Sequence, residues 1–387
     1  MKLSSLTFHV LHVNAKTNWS FMRAEMDSGL IGWGECSLNG WETLQHEYAL
    51  RFGADLSAHA IQSVADVATA CTLHLHSPGG LIEHSIKSAT EQALLDVLAQ
   101  HLGVPVWGLF GSARRNDVEV YANINRATQP RNPDGFAASA KAATAAGFCS
   151  IKLAPFDGVL PTNADTGAGS ALIAAALARI RAVREAVGFD VKVMVDCHWR
   201  LTPKTARRVL DELREVQLHW LECPISEQPQ WHADIRGIRD YANAQGVWLA
   251  GAEMQSEVEG FRPFIEGGLY DTIMPDVKYC GGISALLRIA ELAAKHNVQT
   301  APHNPTGPIC NFASLHACIA GSGCDFLELQ VGESELFTHA VHGAQPRFKC
   351  GQYGAPDNSG LGASLDAAAL ADHPYAPVAG GLDPSLG

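Results

Sequence analysis

The sequence predicts an α/β protein, a parallel barrel preceded by a separate α+β domain. Two observations carry this reading. From about Val118 onward, short apolar runs alternate regularly with longer amphipathic stretches, and residues 1 to about 115 lack that beat. Eight apolar runs with helical patterns between them are the signature of a parallel α/β barrel. A chain of 387 residues that is 47% hydrophobic and 18% charged has ample apolar material for such a core.

The first domain begins with alternating, strand-like segments: "LTFHVLHV", "SFMRAEM" and "LIGWGE". It continues as helices, among them "SIKSATEQALLDVLAQHLG", which ends at Gly103 as a C′ glycine ends a helix. The barrel starts with "VEVYAN" and a helix after Pro133, then "SIKLA" and the alanine-rich stretch from Ala168 to Val187. "VKVMVDCHW" leads to "TPKTARRVLDELREV", "LHWLECP" to a helix near His232 to Ala244, and "VWLAGAE" to a helix from Ser256. The last strands are "DTIMPDV", "VQTAPH" and "DFLELQ", separated by helices from Gly282 and from Pro308. In the helix after the third strand, Thr202 is a natural N-cap and Pro203 fits the first turn, while Val209, Leu210, Leu213 and Val216 make one apolar stripe. Strands that are apolar throughout fit burial on both faces. Beyond about Gly332 the chain is rich in Gly, Pro, Ala and Asp and reads as irregular return structure. The expected divisions are 1–115, 116–332 and 333–387.

Net charge is −12 with no basic face, which argues against a nucleic-acid partner. No run reaches the roughly 18 apolar residues of a membrane span, so no membrane helix is expected. The N-terminal "MKLSSLTFHVLHVNA" is broken by polar residues and lacks the core of a signal peptide. A cytoplasmic location is therefore expected. The ten cysteines form no CxxC pair and are expected to be buried free thiols. His74 and His76, in "HLHSP", lack a third ligand at useful spacing and read as surface.

Catalytic groups in parallel barrels gather at the C-terminal ends of the strands. Asp196, Glu222 and Glu253 end the third, fourth and fifth runs, each about one strand–helix unit apart. Three carboxylates on adjacent strands repel unless a cation compensates, and hard oxygen ligands of this kind suit Mg²⁺. Asp276 and His303 end the next two strands, and an Asp beside a His makes an oriented general base. By strand alternation His198 shares the face of Asp196, as Ala154 shares that of Lys152.

Together "VMVDCHWR", "LECP", "AGAE", "MPDVKYCGG", "APHNPTGPI" and "LELQ" resemble the enolase superfamily in its mandelate racemase-like branch. "GWGE", "EQALLDVLAQHLGVPVWGLFG" and "SGLGASLD" extend the resemblance over nearly the whole chain. It implies a modified (β/α)₇β TIM-like barrel under an N-terminal α+β capping domain completed by the C-terminal segment. The implied chemistry is removal of a proton α to a carboxylate, with Mg²⁺ held by Asp196, Glu222 and Glu253. His303 would be the base, oriented by Asp276, and Lys152 an electrostatic support. Glu328 matches a position that hydrogen-bonds the substrate carboxylate or enediolate. Where many relatives carry a second lysine base, this chain has Ala154, which disfavours a two-base racemase. Lys278 is read as an ion-pair or structural lysine. His198 resembles the acid of galactonate and mannonate dehydratase-like members, which protonates the leaving β-hydroxyl. The resemblance thus implies an acid-sugar dehydratase acting on an aldonic or aldaric acid, with an epimerase or racemase as the alternative. It further implies a homo-oligomer, dimer to octamer, and a substrate whose distal end is read by capping loops around Gly32 to His46. Asn39, Trp41 and His46 are the candidates there.

Overall fold

The computed structural model describes residues 1–56, 59–72 and 80–378. The first domain is a three-stranded antiparallel sheet, β1 (Leu3–Asn14), β2 (Thr17–Met26) and β3 (Ile31–Glu35), followed by α1 (Glu42–Leu56), α2 (Val64–Thr72) and α3 (Leu81–Leu102). Every residue of α3 from Ile86 to Ala99 is buried, because the helix lies under this sheet and against the barrel. The glycines of "GWGE" permit that contact. A Cβ on Gly32 or Gly34 would fall 2.1 or 1.9 Å from the carbonyl oxygens of Ala93 and Ala89. As expected, α3 stops at Gly103, whose φ of 68° is left-handed and whose N–H returns to the last turn.

The barrel alternates β4 (Asp117–Asn123), α4 (Pro133–Ala145), β5 (Ser150–Leu153), α5 (Gly167–Val187), β6 (Lys192–Asp196), α6 (Pro203–Glu212), β7 (Trp220–Glu222) and α7 (His232–Asn243). It continues with β8 (Trp248–Gly251), α8 (Glu257–Glu266), β9 (Thr272–Ile273), α9 (Gly282–Lys295), β10 (Gln299–Thr300), α10 (Pro308–Ala320) and β11 (Phe326–Gln330). Strands β4 to β10 pair in parallel in sequence order, and β11 returns to pair in parallel with β4. The Thr202 hydroxyl accepts from the Thr205 N–H, so the N-cap read from the sequence holds. The later strands are shorter than expected. Glu253 lies two residues beyond β8, Asp276 and His303 three beyond β9 and β10. These side chains sit in turns at the barrel mouth, where catalytic groups gain freedom to converge.

The tail is more ordered than its composition suggests. It holds α11 (Leu336–His339), β12 (Val341–His342), β13 (Phe348–Lys349), β14 (Gln352–Gly354), β15 (Ser364–Leu365) and α12 (Ala367–Asp372). β14 adds antiparallel to β4, and Gly360 exchanges backbone bonds with Val104 and Val106 of the first domain. The C-terminal segment therefore does return to the cap.

Two buried carboxylates fasten cap to barrel. Glu35 accepts from Thr306 Oγ1 (2.6 Å), Gly307 N (2.8 Å) and Cys310 N (3.0 Å) at the start of α10. Glu91 accepts from the Ile283 and Ser284 N–H groups of α9, both at 2.9 Å. Each carboxylate occupies a helix N-terminus, where unpaired N–H groups and the helix dipole favour an anion. Among the described residues, no helix is long and apolar enough to cross a membrane. Eight of the ten cysteines are buried as expected, but Cys149 and Cys350 are exposed.

Candidate active site

The mouth of the barrel opens beneath the cap into a cavity of about 840 Å³. Asp196 and Glu222 are register partners at the ends of β6 and β7, so they stand at the same height. Glu253 reaches that height differently. Ala252 takes a left-handed φ of 68°, turning the chain after Gly251 so that Glu253 faces the cavity. The buried Glu227 secures this turn, accepting from Ala252 N at 2.7 Å and from the Tyr270 hydroxyl at 2.8 Å. A Cβ on Gly251 would meet the Tyr270 ring at 2.4 Å, which accounts for the glycine in "AGAE". Gly251→Ala is expected to destabilise the fold by about 1–3 kcal/mol through this overpacking, measured by urea denaturation.

Lys152, on β5, is fully buried. Its Nζ lies 2.6 Å from Glu222 Oε1 and 2.9 Å from Glu328 Oε1. Glu328 also accepts from Asn123 Nδ2 (2.7 Å) and Asn304 N (3.0 Å). One ammonium cannot neutralise four buried carboxylates. Burial, reinforced by the Asp196 and Glu328 charges against the pull of Lys152, pushes Glu222 up to about 8. Burial with the Asp196 and Glu222 charges raises Glu253 well above its ordinary range. Asp196 is buried too, but His198 beside it, aided by Lys152, holds it down to about 2.

Across the mouth, Asp276 Oδ2 lies 2.8 Å from His303 Nδ1 and 2.6 Å from Lys278 Nζ. Burial opposes the Asp276 charge, but Lys278 and His303 outweigh it and keep that carboxyl below its usual value. Lys278 is thus the ion-pair lysine that the sequence suggested, and it also lines the cavity. Burial lowers the His303 pKa despite Asp276, so the imidazole is neutral near pH 7. Its Nε2 points toward the carboxylates, 3.7 Å from Glu253 Oε1.

His198 does open on the cavity, but strand alternation is not the reason. β6 ends at Asp196, and His198 and Trp199 have left-handed φ values of 48° and 54°. The turn brings His198 Nε2 to 2.7 Å from Asp196 Oδ2, while its N–H donates to Oδ1. Asp196, His198, Ala154, Glu253 and His303 line one cavity, whereas Glu222, Lys152 and Glu328 are buried and do not. Of the capping-loop candidates, Asn39 lines the cavity; Trp41 does not, and His46 stacks on Phe8 instead. His74 and His76 lie outside the described residues. Sequence reasoning missed the β1–β2 hairpin, whose Asn14, Lys16, Thr17 and Asn18 form part of the wall. Its signal was the polar "NAKTN" between two apolar strands. It also missed Arg131, held to Asp157 by two bonds of 2.7 and 2.9 Å.

Among the described residues, no three imidazole, thiol or carboxylate groups converge closely enough to hold a metal ion as they stand. Lys152 bonds Glu222 and His198 bonds Asp196. The donor chemistry nonetheless fits a hard divalent cation. Asp196, Glu222 and Glu253 offer oxygen ligands only, and the raised pKa values of Glu222 and Glu253 mark an excess of negative charge that a cation would relieve. Binding must displace the Glu222 proton, so Mg²⁺ affinity is expected to fall as pH drops below about 8. Calorimetric titration of the substrate-free protein across pH checks this.

Fold and site together define a capped parallel-barrel enzyme with a carboxylate cluster facing an Asp–His pair. The model "Enolase C-terminal domain-like" matches residues 135–369, and "Mandelate racemase / muconate lactonizing enzyme, N-terminal domain" matches 7–111. The chain belongs to the enolase superfamily, whose members generally use Mg²⁺. It is similar to D-galactonate dehydratase of Ralstonia pickettii, 29% identical, covering 95% of this chain and 93% of the relative. It is 30% identical to a D-mannonate dehydratase of Caulobacter sp., covering 92% of each. Both names are those of hydro-lyases, and the protein is an enzyme of the lyase class. A superfamily member from Salmonella Typhimurium shares the fold at a TM-score of 0.85 and 22% identity, covering 96% of this chain and 98% of that one.

Proposed function

We propose that the protein dehydrates an acid sugar, an aldonic or aldaric acid, to a 2-keto-3-deoxy acid. The carrying observation is that His303 and His198 open on one cavity while Ala154 occupies the place of a second base. A neutral His303 Nε2 accepts the α-proton, and Asp276 at Nδ1 stabilises the imidazolium that forms. Hydroxide is a poor leaving group, so His198 Nε2 donates a proton to the departing β-hydroxyl. The two histidines thereby supply one base and one acid, which is what elimination requires. A divalent cation held by Asp196, Glu222 and Glu253 would neutralise the second negative charge that deprotonation places on the carboxylate. Behind them Lys152 keeps Glu222 and Glu328 paired. The amide-rich outer wall, with Asn14, Asn18, Asn39, Asn125 and Gln129, suits a polyhydroxylated chain.

His198→Gln tests the reading. Keto-acid formation with Mg²⁺ is expected to fall by about 10²–10⁴-fold, while exchange of the α-proton in D₂O continues. Near-normal dehydration by this variant would sink the assignment. Exchange in the wild type, yielding an epimer that keeps all its oxygens, would point to the epimerase alternative.

A further inference from the structure

We propose that Cys149 and Cys350 form a reversible redox pair on the barrel's N-terminal face, away from the catalytic mouth. They are the two exposed cysteines among ten, and two separate segments place Cys149 against Gly351, the chain neighbour of Cys350. Cys149 immediately precedes β5. Cys350 lies in the two-residue turn between β13 and β14, the hairpin that adds to the beginning of β4. A Cβ built on Gly351, the neighbour of Cys350, falls 3.3 Å from Cys149 N and 3.5 Å from Cys149 Sγ. The residues before the thiols pack as well. The rings of Phe148 and Phe348 stand 4.7 Å apart, and a Cβ on Gly147 would touch the Phe348 ring at 3.5 Å. The two segments are thus in contact along their length, not at a single point.

The turn itself supplies an independent argument. Cys350 and Gly351 have φ values of 51° and 72°, the two positive values of a type I′ hairpin turn. The first of these positions favours Asn, Asp or Gly, and a cysteine gains nothing from left-handed backbone there. Local turn chemistry therefore does not explain the residue, whereas pairing with the nearby Cys149 thiol would. A disulfide requires α-carbons about 4.4–6.8 Å apart, a separation that the contact of Gly351 with Cys149 brings within reach of the neighbouring Cys350.

The co-reactant is a peroxide. With hydrogen peroxide each thiol gives up a proton and an electron, one S–S bond forms, the O–O bond breaks, and two waters leave. The bond would tie the C-terminal segment to the barrel, closing a loop that spans every barrel strand from β5 onward. That segment also carries Glu333 to the cavity, where it pairs with Arg126 at 2.8 Å.

The decisive experiment uses the wild-type full chain. It is treated with hydrogen peroxide under native conditions, alkylated, digested without reductant and mapped by mass spectrometry. The expected result is an intramolecular peptide linked through Cys149 and Cys350, loss of two titratable thiols, and reversal by dithiothreitol. The oxidised protein should also melt several degrees higher. Cys149→Ser and Cys350→Ser should each abolish the linked peptide yet keep full activity in reducing buffer. The proposal is overturned if both thiols remain alkylatable, if they oxidise separately to sulfinic acids, or if the only linkage joins two chains.

Discussion

Replacing His303 with asparagine is expected to abolish α-proton exchange and turnover together, a loss of at least about 10²–10⁴-fold. The two losses should coincide because His303 turns its Nε2 toward the carboxylates, with its Nδ1 committed to Asp276. This separates it from His198, whose replacement should spare exchange. The pH dependence follows from the same geometry. Burial lowers the His303 pKa below the ordinary 6.5 against the opposing pull of Asp276. The base is active when neutral, so kcat should fall only as pH drops through that lowered value, with the acid limb below pH 6.5. Retained exchange in the asparagine variant would remove His303 from the mechanism.

Lys152→Met is expected to cost about 3–5 kcal/mol of stability, since removing one partner of a buried pair leaves the other charge uncompensated. Both partners, Glu222 and Glu328, are inaccessible to solvent, so water cannot take over the role of the ammonium. Urea denaturation at neutral pH measures the loss. Because Glu328 would be left ionised and unpaired, partial recovery is expected at lower pH, where that carboxyl protonates. The variant should also turn over poorly, since repulsion no longer checked by the ammonium would displace Glu222 from its place at the end of β7. Wild-type stability in this variant would mean that the carboxylates do not need the lysine.

Both predictions concern residues that were legible in the sequence, but for different reasons. Lys152, Asp196, Glu222 and Glu328 lie on strands, where parallel pairing aligns successive strand ends and makes spacing a guide to height. Glu253, Asp276, His198 and His303 lie in turns past their strands, so alternation does not account for their placement. Glu253, Asp276 and His303 were read from their place at successive strand ends and His198 from alternation, the resemblance then assigning their roles. The turns at Glu253 and His198 rest on left-handed backbone at Ala252 and His198 that no periodicity reports. The partners Glu227 and Tyr270, which hold the Ala252 turn, are 25 and 18 residues from it along the chain. The same limit hid the cavity wall. The β1–β2 hairpin reads locally as an ordinary polar turn, and only docking of the cap over the barrel makes it part of the site.

By itself the sequence determined the alternation of strands and helices, the cap–barrel division, the helix boundaries at Thr202 and Gly103, and the carboxylates that end β6 and β7. Those are local consequences of hydrophobic period, capping chemistry and strand length. Tertiary structure alone decided that Lys152 binds Glu222 and Glu328 rather than facing the cavity, and that Asp276 is shared between His303 and Lys278. It also decided that Glu35 and Glu91 serve as helix-end anchors for the cap and that Cys149 meets the Cys350 hairpin. Such choices depend on which charges and donors folding brings within a few ångströms of one another, and residues far apart in the chain carry no mark of that proximity.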